Sequence, residues 1–177
     1  MPLAAAACTL LLVDLQERLM PAIAGSEGVV ANALRLGEAA RLLDVPVLAT
    51  EQNPAGLGGN LPEIAALASR TLPKNHFDAT REAGFEAALP PGRDTIVVAG
   101  CETHVCVLQT VLGLLGRGRS VALVADAVGS RLPANRDAAL ARAKAHGADL
   151  VTTEMVVFEW LGTCDHPRFR EALRLVK

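Results

Sequence analysis

Three polar residues follow short apolar runs and carry the side chains that acyl-transfer chemistry requires. They are Asp14, Lys74 and Cys106, a carboxylate, an ammonium and a thiol. The runs that end at or just before them cover residues 9–14, 70–72 and 95–100. A free cysteine has a pKa of about 8.5 and reacts as its thiolate, so a nucleophilic cysteine needs an activating environment. The other two groups are of the kind that can provide it.

The sequence predicts how these three groups divide the work. Cys106 lies in the first turn of a predicted helix with Thr103 as its N-cap, and a helix N-terminus and the Lys74 cation both favour a thiolate. Asp14 can accept the thiol proton and return it to a leaving group. Backbone N–H groups within residues 100–106 can hold an oxyanion. Each residue alone has an ordinary explanation, as core cysteine, turn carboxylate or surface lysine; together they favour a thioester-forming hydrolase.

The elements that must position these residues follow from the apolar pattern. Runs of Val, Leu and Ile without polar alternation are typical of strands covered on both faces. Such runs occupy residues 9–14, 46–50, 95–100, 120–125 and 149–152, with a shorter one at 70–72. Segments with helical spacing lie at residues 29–43, 103–117 and 135–146. Strands that alternate with helices predict a three-layer α/β/α fold with a mostly parallel sheet of about six strands.

In such a sheet, ligands bind beyond the carboxyl ends of the strands. Asp14, Lys74 and Cys106 are therefore expected on one rim. No linker, repeat or low-complexity block divides the chain, which predicts one domain over residues 1–177. The helix predicted at residues 103–117 is apolar around most of its circumference, which favours a homo-oligomer.

Composition excludes several classes of partner. With 17 Lys+Arg against 19 Asp+Glu the net charge is -2, which disfavours nucleic acid and anionic membranes. One Trp, four Phe and no Tyr leave few rings for stacking on bases. The four cysteines form no C-x-x-C pair, and no run has the length of a membrane span or the basic start of a signal peptide. We expect a soluble cytoplasmic protein with reduced thiols and a small-molecule substrate.

Three separate motifs resemble one known family. LLVDLQ surrounds Asp14, PKNHFDA surrounds Lys74 and VVAGCETHVCV surrounds Cys106. In this order they resemble the isochorismatase-like cysteine hydrolases, which include nicotinamidases and N-carbamoylsarcosine amidases. The segments VPVLATEQNPAGLG, LVADAVGSR and DHPRFREALRLVK are similar to the subgroup of isochorismatase domain-containing proteins. The resemblance covers nearly the whole chain.

The resemblance implies a role for each motif residue. Cys106 would be the nucleophile, Asp14 the proton acceptor and Lys74 the group that steadies both. A non-proline cis peptide would join Cys101 to Glu102 and place the Glu102 N–H beside that of Cys106 as an oxyanion hole. Substrate-binding residues are expected at positions near this centre, namely Gln16, Gln52, Phe77 and His104. His104 is expected to line the pocket and not to act as a general base for Cys106. It lies two residues before Cys106, and residues at that spacing do not share a helix face.

The chain also departs from the family in a way that bears on substrate. Metal-dependent nicotinamidases carry histidines after the second strand, whereas this region reads Thr50-Glu51-Gln52-Asn53. We therefore predict no catalytic metal and no cofactor, and nicotinamide becomes a weaker candidate substrate. Two alternatives stay open: vinyl-ether cleavage with Asp14 as acid and no covalent step, and a non-catalytic oligomeric binding or scaffold protein.

Overall fold

The computed structural model describes residues 2–177, which contain one six-stranded sheet. The strands are β1 (Cys8–Val13), β2 (Val47–Gln52), β3 (Arg70–Lys74), β4 (Thr95–Cys101), β5 (Ser120–Gly129) and β6 (Asp149–Val151). Their order is β3-β2-β1-β4-β5-β6, and every neighbouring pair is parallel. The strand order reverses at β1, so the helices that follow β1 and β4 lie on opposite faces of the sheet. The crevice between such connections is where doubly wound folds bind ligands.

Helices cover both faces of the sheet. They are α1 (Ser26–Leu42), α2 (Pro54–Leu57), α3 (Pro62–Ala65), α4 (Phe85–Ala88), α5 (Leu108–Gly116), α6 (Pro133–Ala145), α7 (Thr153–Leu161) and α8 (Phe169–Val176). Short 3-10 turns cover Ala5–Ala7, Met20–Ala22 and Ala79–Arg81. One apolar core contains residues of α1, α7 and α8, and the other contains residues of α4, α5 and α6. The predicted three-layer α/β/α class is thereby confirmed.

The central strand β1 contributes side chains to the apolar cores on both faces of the sheet. All six residues of β1 are buried, and alternate side chains enter opposite cores: Leu10 and Leu12 face one, Leu11 and Val13 the other. A strand buried on both faces reads as a continuous apolar run, which is the pattern that identified it. Among the helices of residues 2–177, none has the length and apolar character needed to cross a bilayer.

Several predicted boundaries differ from the structure. β3 extends to Lys74, so the lysine belongs to the strand itself, and β5 extends to Gly129. The segment predicted as one helix over residues 103–117 begins with a π-helical turn, Thr103–Val107, before α5. The expected N-cap at Thr103 is wrong, because Glu102 is the cap residue and makes no side-chain capping bond. The helices α7 and α8 were not expected from the apolar pattern of the sequence.

Gly100 permits a close approach between β4 and the end of β1. Its φ is +123°, and a Cβ at this position would lie 2.0 Å from the Val13 carbonyl oxygen. No side chain fits there, since backbone atoms cannot yield as a flexible side chain can. The glycine thus brings the segment that leads to Cys106 against the strand that leads to Asp14.

We expect Gly100→Ala to lower the free energy of unfolding by about 3 kcal/mol or more, because overpacking and a strained φ add. Urea denaturation measures this. Gly116→Ala is the matched control, since a Cβ at Gly116 meets nothing within 4 Å. That variant should be neutral or slightly stabilising. Equal effects of the two substitutions would contradict the steric explanation.

Candidate active site

Asp14 occupies a sharp turn directly after β1. Its φ is +50°, a conformation that aspartate tolerates better than most residues. The turn is fixed from β2: the Asp14 N–H donates to the Thr50 carbonyl at 3.2 Å, and Thr50 Oγ1 donates to Asp14 Oδ1 at 2.7 Å. Thr50 has no exposed surface. Sequence reasoning assigned no role to Thr50, although the parallel register that pairs Val13 with Thr50 places them together.

Lys74 supplies the cation at the end of β3. Its Nζ lies 2.8 Å from Asp14 Oδ2, and neither side chain has any exposed surface. A buried charge pair is retained only when its remaining hydrogen-bonding capacity is satisfied. Lys74 Nζ also donates to Gln52 Oε1 at 2.5 Å and, more weakly, to the His76 carbonyl at 3.4 Å. The ammonium therefore has one counter-charge and two hydrogen-bond acceptors around it.

Cys106 lies in the π-helical turn that links β4 to α5. The turn is defined by hydrogen bonds between residues five apart in the chain, such as the bond from the Val107 N–H to the Glu102 carbonyl at 3.2 Å. Such turns are rare and occur often at functional sites. The Cys106 side chain interacts with both Asp14 and Lys74, and its Sγ is 3.7 Å from Gln52 Oε1. The three sequence-predicted residues are thus neighbours in space.

Burial decides the resting state of the thiol. Loss of hydration and, next, the nearby Asp14 carboxylate raise the pKa of Cys106 to about 12, although Lys74 acts in the opposite direction. Because Lys74 is already balanced by Asp14, a thiolate would be an additional buried negative charge. The expectation of a thiolate stabilised by the helix N-terminus and Lys74 needs correction: Cys106 rests as a neutral thiol.

This resting state predicts the pH dependence of alkylation. The rate of a free thiol levels off once the thiol is fully ionised. Because the pKa of Cys106 lies higher, the rate of its reaction with iodoacetamide should continue to increase with pH above that point. Peptide mass spectrometry separates Cys106 from the other three cysteines, and N-acetylcysteine provides the reference curve. A Cys106 rate that is already constant at neutral pH would indicate a resting thiolate instead.

The Cys101–Glu102 peptide bond is cis. The Glu102 carboxylate is held by Arg131, whose backbone N–H donates to Oε2 at 2.9 Å and whose Nε donates to the same oxygen at 3.1 Å. The connection between β5 and α6 therefore anchors the residue that precedes the π-helical turn.

Gln16 and Gln52, both expected to bind substrate, occupy different environments. Gln16 has no exposed surface, and its amide is engaged by backbone groups: Nε2 donates to the carbonyls of Gln52 and Gly58, and Oε1 accepts from the Gln52 N–H. Gln16 thus holds the end of β2 to the following loop. The Gln52 side chain instead reaches into the reactive cluster, where it contacts both Lys74 and Cys106.

His104 and Phe77 lie on the segments that border the cluster. The His104 ring is half-buried between Ser130 Oγ, 3.0 Å from Nδ1, and Asn135 Nδ2, 3.4 Å from Nε2. Since the Asn135 Nδ2 group can only donate, this arrangement makes His104 Nε2 the acceptor and His104 Nδ1 the donor to Ser130 Oγ. The Phe77 side chain is 49% exposed, next to the His76 carbonyl that faces Lys74.

No group of three or more His, Cys, Asp or Glu side chains within residues 2–177 is arranged to hold an ion. The same residues contain no disulfide, and all four cysteines are free thiols.

Comparison with known proteins identifies the family. Residues 8–155 match the model of the isochorismatase domain. The chain belongs to the isochorismatase family. Its curated relatives include isochorismatase domain-containing protein 2A of Mus musculus and protein 2 of Homo sapiens. Each is 39% identical over 168 residues, which cover 95% of this isochorismatase-family chain and 82% of the relative.

Solved structures share the fold of this isochorismatase-family chain. MAR1 ribonuclease from Caenorhabditis elegans has a TM-score of 0.94 at 33% identity, covering 99% of this chain and 92% of its own. YcaC from Pseudomonas aeruginosa, in a structure with hexane-2,5-diol and covalent acrylamide, has a TM-score of 0.90 at 28% identity, with coverage of 98% and 91%. Escherichia coli YcaC, an octameric hydrolase of unknown specificity, has a TM-score of 0.88 at 26% identity, with coverage of 99% and 87%.

Proposed function

We propose that this chain, as one hydrolase domain over residues 1–177, cleaves a small amide or related acyl compound through a thioester on Cys106. The observation that carries the proposal is the buried cluster in which Lys74 Nζ lies 2.8 Å from Asp14 Oδ2, and Cys106 Sγ lies 3.7 Å from Gln52 Oε1, the oxygen that accepts from the same ammonium. A general base, a fixed cation and a thiol are the parts that nucleophilic acyl transfer requires.

Acylation begins with proton transfer, because the thiol is neutral at rest. Asp14 takes the proton as Sγ attacks the substrate carbonyl carbon, and the negative charge moves from the carboxylate to the reacting atoms. Lys74 lies beside both positions, so its ammonium stays paired with one negative charge throughout. Asp14 then gives the proton to the departing amine as the C–N bond breaks.

The carbonyl oxygen develops negative charge during attack and needs donors. We assign this role to the N–H groups of Glu102 and Cys106 on either side of the π-helical turn. Glu102 is the residue directly before the π-helical turn that carries Cys106, so both N–H groups belong to the same short segment. The Arg131–Glu102 bonds keep that residue in place. One such donor is typically worth about 2.7 to 4 kcal/mol of transition-state stabilisation.

Deacylation completes the cycle with water. Asp14, again a carboxylate, takes a proton from the water that attacks the thioester carbon, and the departing sulfur recovers a proton as the acid leaves. Every atom of the cycle comes from substrate, water or the three side chains. Phe77 and His104 are proposed to contact the substrate, because they lie on the segments that border the cluster.

Two structural neighbours provide points of comparison for substrate class. The Pseudomonas aeruginosa YcaC structure contains covalent acrylamide, an electrophile that nucleophilic side chains attack at its carbon–carbon double bond. The Caenorhabditis elegans neighbour is named a ribonuclease. In this chain the net charge of -2 supplies no field that attracts phosphate, and Lys74 is already paired with Asp14. We therefore favour a small neutral amide over RNA.

A substrate panel tests the proposal. The full chain is incubated with primary amides, carbamoyl compounds, a vinyl ether and an RNA oligonucleotide. The products measured are ammonia, the carbonyl product of vinyl-ether cleavage and RNA fragments. Ammonia release that saturates with an amide or carbamoyl substrate supports the proposal. Turnover of the vinyl ether or RNA alone, or no turnover of any compound, contradicts it, and the last result favours a binding or scaffold protein.

We also propose that the protein is a cytoplasmic homo-oligomer. The octameric Escherichia coli neighbour has the same fold over 99% of this chain, and all four cysteines are free thiols. Light scattering that shows a monomer at micromolar concentration would contradict the oligomer.

A further inference from the structure

Gln52 is the polar side chain that joins the proposed cation to the proposed nucleophile. Its Oε1 is 2.5 Å from Lys74 Nζ and 3.7 Å from Cys106 Sγ. The amide orientation is fixed independently, since Nε2 donates to the Asn75 carbonyl at 2.9 Å and so turns Oε1 toward the cluster. The backbone of Gln52 is held by Gln16, whose Oε1 accepts from the Gln52 N–H at 2.8 Å.

The two contacts of Oε1 differ in strength. A hydrogen bond from an ammonium is charge-assisted and roughly twice as strong as a neutral one, whereas a thiol is a weak donor. The dominant effect of Gln52 is therefore on Lys74. An amide oxygen can only accept, so this bond directs one N–H group of Lys74 along the edge of the cluster next to Sγ.

We propose that Gln52 is a positioning residue that holds the Lys74 ammonium against Cys106. This inference rests on the proposed function and deepens it. Without the amide oxygen, the ion pair with Asp14 remains, but one N–H of a fully buried ammonium loses its acceptor. The ammonium then turns toward the weaker His76 carbonyl, 3.4 Å away, and supports a developing thiolate less well.

Alkylation of Cys106 by iodoacetamide at mildly alkaline pH tests the proposal without a known substrate. Gln52→Leu keeps the approximate size and removes the acceptor, and we expect it to slow Cys106 alkylation by about tenfold or more. Gln109→Leu is the matched control, because Gln109 is exposed on α5, the helix that follows Cys106. It should react at the wild-type rate.

A double-mutant cycle with Lys74→Met separates positioning from a general structural effect. If Gln52 acts through the lysine, adding Gln52→Leu to Lys74→Met changes the alkylation rate by less than about twofold. Circular dichroism and thermal melting confirm that each variant is folded. If Lys74→Met fails to fold, Lys74→Gln replaces it, since its amide can still donate to Asp14.

The outcomes are distinct for the two proposals. A wild-type Cys106 that never reacts, together with a negative substrate panel, overturns the proposed function and this inference with it. A reactive wild type whose Gln52→Leu variant reacts equally fast overturns the inference alone. The same result follows if Gln52→Leu slows alkylation to the same degree with and without Lys74.

Discussion

Cys106→Ala should abolish turnover, with kcat lower by about 10⁴-fold or more, because no other group can form the thioester. The fold should survive, since the substitution removes one sulfur from a residue at the edge of a core that is otherwise intact. Ammonia release from the best substrate of the panel measures the effect, and urea denaturation measures stability.

Cys164→Ala is the control for this experiment. Cys164 is exposed and lies after α7, away from the carboxyl ends of β1, β3 and β4. It should retain the wild-type rate. Full activity of Cys106→Ala would exclude covalent catalysis and favour the alternative in which Asp14 acts as an acid.

Asp14→Asn should lower both kcat and the free energy of unfolding. Asparagine cannot take the thiol proton, so we expect kcat to fall by about 10² to 10⁴-fold. It also leaves the Lys74 ammonium buried without a counter-charge, and breaking one side of a buried pair costs about 3 to 5 kcal/mol of unfolding free energy. The first effect is measured by ammonia release and the second by denaturation.

Asp137→Asn is the matched control for charge removal. Asp137 also pairs with a cation, Arg136, but its side chain is 69% exposed. Exposed pairs contribute little, so activity and stability should both stay near wild type. An Asp14→Asn enzyme with an unchanged rate would show that the proton acceptor lies elsewhere, whatever happens to its stability.

The positions that the sequence predicted well are those with a strong local signal. A short apolar run such as β1 is typical of a strand covered on both faces, and a polar residue that ends such a strand lies at the edge of the sheet where ligands bind. That logic brought Asp14, Lys74 and Cys106 together, and the family resemblance assigned their proposed roles. The fold class needed only the alternation of strands and helices.

The features that escaped prediction depend on partners distant in the chain. The resting thiol of Cys106 follows from burial and from Asp14, and neither can be read from the residues beside it. Thr50 looks like an ordinary strand residue until the register places it against Asp14. Gln16 and Gln52 have the same side chain, but only the fold decides that one binds backbone and the other reaches the cluster.

The π-helical turn Thr103–Val107 has a consequence for how this chain can change. A π turn holds one residue more than the α-helical turn that it replaces. Deleting a single residue there would let an ordinary helix run on from Glu102, and α5 would keep its place between sheet and solvent. The sulfur, however, would swing about 100° around the helix axis. The loss of one codon could therefore abolish the reactivity of Cys106 and leave the fold intact. An inactive descendant of this chain could then persist as a well-folded protein.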